Sequence, residues 1–178
     1  MKRAIQSVGL AVSLALGACA VDPEAAEDDP IESLDELKAD TFRAPSSMGE
    51  IAEDGDWSKG DLQTNSRYHL WTFEILQQQS NVQLWTRSVD DEHLTNTVMY
   101  LYKRQPDGRW GTHIDKNDDG VWQYADWGTT YTDDLAPFSY INRGLDAGEY
   151  GVLIKGKYSS TRGPYYVTYD CNSGRNCR

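Results

Sequence analysis

The chain has 178 residues, with 28 acidic against 17 basic side chains, a formal net charge of −11 and 39% hydrophobic residues. That length suits a small number of domains with one sizeable core. The acidic balance excludes nucleic acid as a partner, because phosphate binding needs clustered Lys and Arg, and it excludes charge-driven attachment to anionic lipid.

Lys2 and Arg3 precede an apolar run, "AIQSVGLAVSLALGA", which is too short to span a bilayer and is built like a secretory signal peptide over residues 1–18. The run ends in "LGAC", which resembles a bacterial lipobox. The resemblance implies cleavage before Cys19 and lipidation of that cysteine, so that the chain would be held to a membrane by its acyl chains. Ala20 follows the lipidated position where inner-membrane lipoproteins of some Gram-negative bacteria carry Asp, which points to the outer membrane of the cell envelope. Cleavage also removes Lys2 and Arg3 and takes the formal charge from −11 to −13.

Residues 19–48 follow as an acidic tether. Positions 20–48 hold nine acidic residues, two basic ones and three prolines, a composition that cannot bury enough apolar surface to offset its ordering entropy. One short helical stretch is expected near 31–38. Fully extended, the tether would reach roughly 100 Å.

From residue 49 to 178 the composition changes, and all six Trp and all eleven Tyr lie here. The apolar period is two. "YHLWTFEIL" places Trp71, Phe73 and Ile75 on one face, "NVQLWTRSV" Val82 and Leu84, and "TVMYLYK" sets Met99 and Leu101 opposite Tyr100 and Tyr102. "GEYGVLIKG" alternates Tyr150, Val152 and Ile154, and "PYYVTYDC" places Tyr165, Val167, Tyr169 and Cys171 together. The stretches "QQQSN", "QPDG", "DKNDDG", "LDAGEY" and "STRGP" supply turn chemistry between them. The expected fold is all-β: a two-layer antiparallel β-sandwich, jelly-roll-like, of about eight short strands.

The order "TVMYLYKR", "NDDG", "FSYINRGLDAGEYGVLIKG", "GPYYVTYDC" over residues 68–171 resembles the bacterial pre-peptidase C-terminal domain. The resemblance implies a small β-sandwich of the kind appended to secreted proteases and other exported proteins, some relatives of which bind collagen.

With Cys19 assigned to lipid, Cys171 and Cys177 in "CNSGRNC" form an even pair in an oxidising compartment, expected as a disulfide. A Cys-x5-Cys metal half-site is the alternative, and the sequence around it offers no His or second Cys pair.

The stretch "DKNDDGVWQYAD" matches the twelve-residue calcium loop: Asp115, Asn117 and Asp119 at positions 1, 3 and 5, the Val121 carbonyl at 7, Asp126 at 12, and Gly120 at the turn. No helix pattern flanks it, so a full EF-hand is rejected. A Ca²⁺ loop between strands, binding at about 10⁻⁴ to 10⁻³ M, competes with a plain Asx-rich turn.

Catalytic motifs are missing: the sequence has no G-x-S-x-G, H-E-x-x-H, S-x-x-K or Gly-rich phosphate loop. His69 reads as a satisfied strand residue, His93 as solvated loop, and His113 as a neighbour of the acidic turn. Adjacent carboxylates at Asp90 and Asp91, and at Asp133 and Asp134, are the material for a small hydrolase. The preferred expectation is a non-enzyme that binds a protein or polysaccharide. Trp110, Trp122 and Trp127 around the acidic turn, with Tyr100 and Tyr102 and Trp85 on outward strand faces, are the candidate ligand-binding rings.

Overall fold

The computed structural model describes residues 33–39, 44–53, 56–89, 94–118, 122–123, 130–131, 138–171 and 177. Its elements are α1 (Leu34–Ala39), β1 (Ser46–Glu50), β2 (Ser58–Leu62), β3 (Tyr68–Ile75), β4 (Ser80–Ser88), β5 (Thr97–Lys103), β6 (Asp115–Asn117), β7 (Trp122–Gln123), β8 (Thr130–Tyr131), β9 (Tyr140–Leu145), β10 (Gly148–Gly156) and β11 (Gly163–Cys171). A five-stranded sheet ordered β1-β3-β10-β5-β6 faces a four-stranded sheet ordered β2-β11-β4-β9, and β7 pairs with β8 in a separate ribbon. The fold is the expected β-sandwich. Among the named strands of the described residues, β1 on β3 is the parallel pair, which places the incoming chain as an edge strand.

Alternation in the sequence fixes the core directly. Trp71, Val152 and Leu101 lie across β3, β10 and β5 in one row, and His69, Ile154 and Met99 in the next. These rows face Val82, Leu84, Tyr165, Val167 and Tyr169 of the other sheet. Phe73 stacks on Tyr150 at 5.4 Å and meets Tyr169 at 4.8 Å. The "LDAGEY" turn also acquires a physical reason. Gly148 takes φ 151°, and the Tyr150 hydroxyl donates back to the Asp146 carbonyl at 2.6 Å, which closes the turn on itself.

The outward rows of the five-stranded sheet overturn one expectation. Tyr100 and Tyr102 are 1% and 0% exposed, and Trp110 is 5% exposed. With Leu34, Leu37, Tyr68, Leu70, Val98 and Leu153 they form a second apolar cluster. The cover is α1, inside the stretch expected to be tether. The Ser33 hydroxyl accepts from the Glu36 N–H at 3.4 Å, a capping arrangement that starts the helix. Leu34 and Leu37, one turn apart, then point the same way onto the sheet. A six-residue helix has no independent stability, so docking holds it. Asp35 Oδ2 accepts from the N–H groups of Trp110 (3.0 Å) and Gly111 (3.4 Å), and Ser33 bridges to Thr112. The Trp110 ring in turn fills the space above Gly151, where a Cβ would meet it at 2.9 Å. The folded module therefore begins at or before Ser33, ahead of the expected boundary at residue 49, and β1 extends it through Ser46.

At the other end of the chain, Cys171 and Cys177 form the expected disulfide, with Cα atoms 5.7 Å apart. Cys177 is pinned further by its N–H to Glu53 Oε1 at 2.9 Å and by its carbonyl, which accepts from Leu76 N–H at 2.8 Å.

Candidate ligand face

The first half of the acidic loop is strand rather than loop. Asp115 pairs with Leu101 and Asn117 with Met99, so both lie in the inward rows of the five-stranded sheet, at its edge. Their side chains meet β9 of the facing sheet. Asp115 Oδ2 is 3.2 Å from the Arg143 guanidinium, and its Oδ1 accepts from Lys116 N–H at 2.9 Å. Asn117 Oδ1 accepts from Tyr140 N–H at 2.9 Å. Arg143 also donates to the Ile114 carbonyl. These bonds close the seam where β6 and β9, the two sheet edges, meet. A cation at Asp115 would compete with the Arg143 guanidinium for the same carboxylate. Asp119, Val121, Asp126 and Trp127 lie outside the described residues, and Trp122 is described only as backbone of β7. Cys19 and the carboxylates Asp90, Asp91, Asp133 and Asp134 also lie outside them.

A Ser–His contact invites a catalytic reading, and proton counting decides it. Ser66 Oγ lies 3.0 Å from His69 Nε2, and His69 Nδ1 lies 2.8 Å from the Tyr165 hydroxyl. Trp71 Nε1 can only donate, and it donates to the Tyr165 oxygen at 2.9 Å. The buried Tyr165 proton must then go to His69 Nδ1, which leaves the His69 proton on Nε2, donating to Ser66. Ser66 Oγ also shares a hydrogen bond with Ser46 Oγ at 2.7 Å. A serine that accepts from the imidazole is not activated by it. The chain Trp71, Tyr165, His69, Ser66, Ser46 is a structural relay that joins β11 and β3 to the incoming strand β1. Burial pushes the Tyr165 phenol far up and the His69 imidazole down, the latter opposed by Ser66 and Asp61.

A shallow hollow of about 610 Å³ lies between Lys103, Arg104, Gln105, Pro106 and the Ala147–Glu149 turn. Its guanidinium is already spent on a two-point contact between Arg104 and Glu149, at 2.7 and 2.8 Å.

The open platform is the outward face of the four-stranded sheet. Register places Lys59, Tyr166 and Arg87 side by side across β2, β11 and β4. The next row is Thr168, Trp85 and Tyr140, and the third Asp170, Gln83 and Asn142. Trp57, just before β2, lies over the first two rows: its ring centroid is 6.0 Å from those of both Trp85 and Tyr166. The Arg87 guanidinium sits 4.1 Å from the Trp57 centroid and 5.2 Å from that of Tyr166. Trp57, Tyr166, Tyr140 and Arg87 are half-buried and Lys59 is exposed. Trp85 faces outward as expected, but Trp57 and its neighbours leave it 8% exposed. Arg87 has no ion pair among the described residues, and its buried Nε has no hydrogen-bond partner. Burial raises the Tyr140 phenol, against a hydrogen bond with Asn142. Sequence reasoning missed Trp57 and Tyr166, although Tyr166 alternates outward against Tyr165 and Val167, and that alternation was the available signal.

No protein-family match is found for the sequence, and no curated protein matches it. Fourteen chains of solved structures are similar. The pre-peptidase C-terminal domain of a collagenase from Bacillus anthracis is 12% identical with a TM-score of 0.49, covering 71% of this chain and 97% of that one. A protein from Sulfurospirillum deleyianum is 8% identical with a TM-score of 0.36, covering 67% and 99%. The Yersinia pseudotuberculosis-derived mitogen is 12% identical with a TM-score of 0.29, covering 61% and 88%.

Proposed function

We propose that this chain is a surface lipoprotein, anchored through lipid on Cys19, whose β-sandwich is a non-catalytic module that binds polysaccharide on the outward face of its four-stranded sheet. The observation that carries the reading is the Arg87 guanidinium spread over Trp57 and Tyr166 without an ion pair among the described residues. Ring faces with a polar group beside them suit the apolar faces of sugars. A cation held against rings, with no carboxylate partner among the described residues, is arranged for a partner that arrives from outside. The anchor rests on the "LGAC" sequence and the acidic stretch behind it.

Tryptophan fluorescence of the full chain, followed during titration with a polysaccharide panel, tests the binding face. Binding should quench or shift the emission, and Trp57→Ala should abolish the response at temperatures where its melting curve still shows it folded. Binding that survives in Trp57→Ala would place the ligand elsewhere. Metabolic labelling with a fatty-acid analogue tests the anchor: Cys19→Ala should lose both the label and the membrane fraction, and a labelled Cys19→Ala chain would refute it.

A further inference from the structure

The row Lys59, Tyr166, Arg87 says more about the ligand than that it has sugar faces. β2, β11 and β4 are neighbours in the sheet, and strands lie about 4.8 Å apart, so the two cations stand about 10 Å apart with a ring between them. Acids outnumber bases 28 to 17 in this chain, so cations have ample carboxylates to pair with. Arg104, Arg109, Arg143 and Lys157 do pair with them. Lys59 and Arg87, like Lys38, Lys103, Lys116 and Arg162, have no such partner among the described residues, and these two alone stand in one row on either side of a ring. Asp61 shares the outward face of β2 two residues from Lys59, and Asp170 lies two rows away, yet neither is ion-paired to the row.

We infer that the ligand is an acidic glycan, a chain of sugars carrying carboxylates, held by Lys59 and Arg87 on either side of Tyr166. This rests on the binding face proposed above. The guanidinium fork matches a carboxylate in two-point geometry. The Trp57 ring both fixes the fork and narrows its water shell, which strengthens the contact. Tyr166 lies between the charges, where a sugar ring would span them.

A peptide fits less well. Peptide docking by strand addition needs an unpaired edge, whereas β11 and β4 are each paired on both sides. Tyr166, Trp85 and Arg87 sit on the two central strands, and only Lys59 comes from the edge strand β2. The net charge of −11 also removes long-range attraction for a polyanion, so recognition must come from contact at this row. That makes binding dependent on the two cations rather than on overall charge.

Calorimetric titration of the full chain with a short galacturonate oligomer tests the inference, beside its methyl ester, a neutral glucan oligomer and poly-glutamate. The acid oligomer should bind, and esterification should weaken it about tenfold or more, the scale of one lost charged hydrogen bond. Arg87→Gln should lose a similar factor. Lys59→Gln, at an exposed position, should also weaken binding, and it guards against a fold defect in the Arg87 variant. Equal affinity for acid and ester overturns the carboxylate inference and leaves the glycan face standing. Equal binding of poly-glutamate overturns the sugar component. Absence of galacturonate binding overturns the inference outright, and absence of the neutral glucan as well, with tryptophan emission unchanged, removes the binding face with it.

Discussion

Replacing Tyr165 by Phe removes one oxygen from a fully buried polar group of the core. The ring stays, still packed over Gly60 and against Val167. Two partners lose their bond together: Trp71 Nε1 at 2.9 Å and His69 Nδ1 at 2.8 Å. Each polar atom left buried without a partner costs about 1–3 kcal/mol, so Tyr165→Phe should destabilise by about 2–6 kcal/mol, well above an ordinary surface change. For a chain of this size that lowers the melting temperature by about 2–4 °C per kcal/mol. The relay also sets a pH dependence. Burial lowers the folded pKa of His69, so between the unfolded value near 6.5 and the lower folded value the unfolded chain binds a proton that the folded chain refuses. The stability contributed by neutral His69 is present above about pH 6.5 and is lost as pH falls. The limiting slope for one proton is about 1.4 kcal/mol per pH unit. Thermal melts from pH 7.5 to 4.5 should show this loss in the wild type and a shallower one in His69→Gln. A Tyr165→Phe chain as stable as the wild type, or a pH slope unchanged in His69→Gln, would refute the directed relay.

Leu34→Ala should cost about 2–5 kcal/mol, unless α1 undocks first and limits the loss; in either case Trp110 emission should move to longer wavelength. An unchanged spectrum would mean that α1 does not cover that ring. Calcium up to several millimolar should leave the melting temperature unaltered, because binding at Asp115 opposes the Arg143 ion pair. A calcium-induced rise in melting temperature that disappears in Asp115→Ala would reverse that conclusion. Removing the disulfide with Cys171→Ala and Cys177→Ala should cost about 2 kcal/mol in the chain-entropy view, read by denaturant melts; no change would mean that the contacts of Cys177 with Glu53 and Leu76 already hold that end.

The core was legible because alternation names its own face: Trp71, Phe73, Ile75, Val152, Ile154 and Val167 all point inward as their period requires. Alternation separates two faces but does not say whether the second is wet. Alternation alone therefore sends Tyr100 and Tyr102 to solvent, whereas their cover comes from Leu34 and Leu37, two leucines inside a segment whose charge suggests a free tether. The pattern Ser33-x-x-Glu36 with leucines at helical spacing was the local clue. β1, "SSMGE", carries no strand signature of its own and is recruited by the open edge of β3. The calcium motif shares its spacing with a strand, since Asp115 and Asn117, two residues apart, also turn toward one side of β6. The platform was hardest to see. Trp57, Trp85 and Tyr166 come from distant parts of the chain, and only the register of β2, β11 and β4 makes them neighbours.

The position of α1 gives the module a front and a back. The chain approaches along the outside of the five-stranded sheet, where Leu34 and Leu37 fasten it, while the aromatic platform occupies the outside of the other sheet. Two packed sheets, about 10 Å apart, separate them. Trp57 and Arg87 therefore look away from α1. Under the anchoring proposed at Cys19, copies gathered side by side with α1 turned away from the ligand would offer several such ring faces to one long chain, and grip it at several points at once.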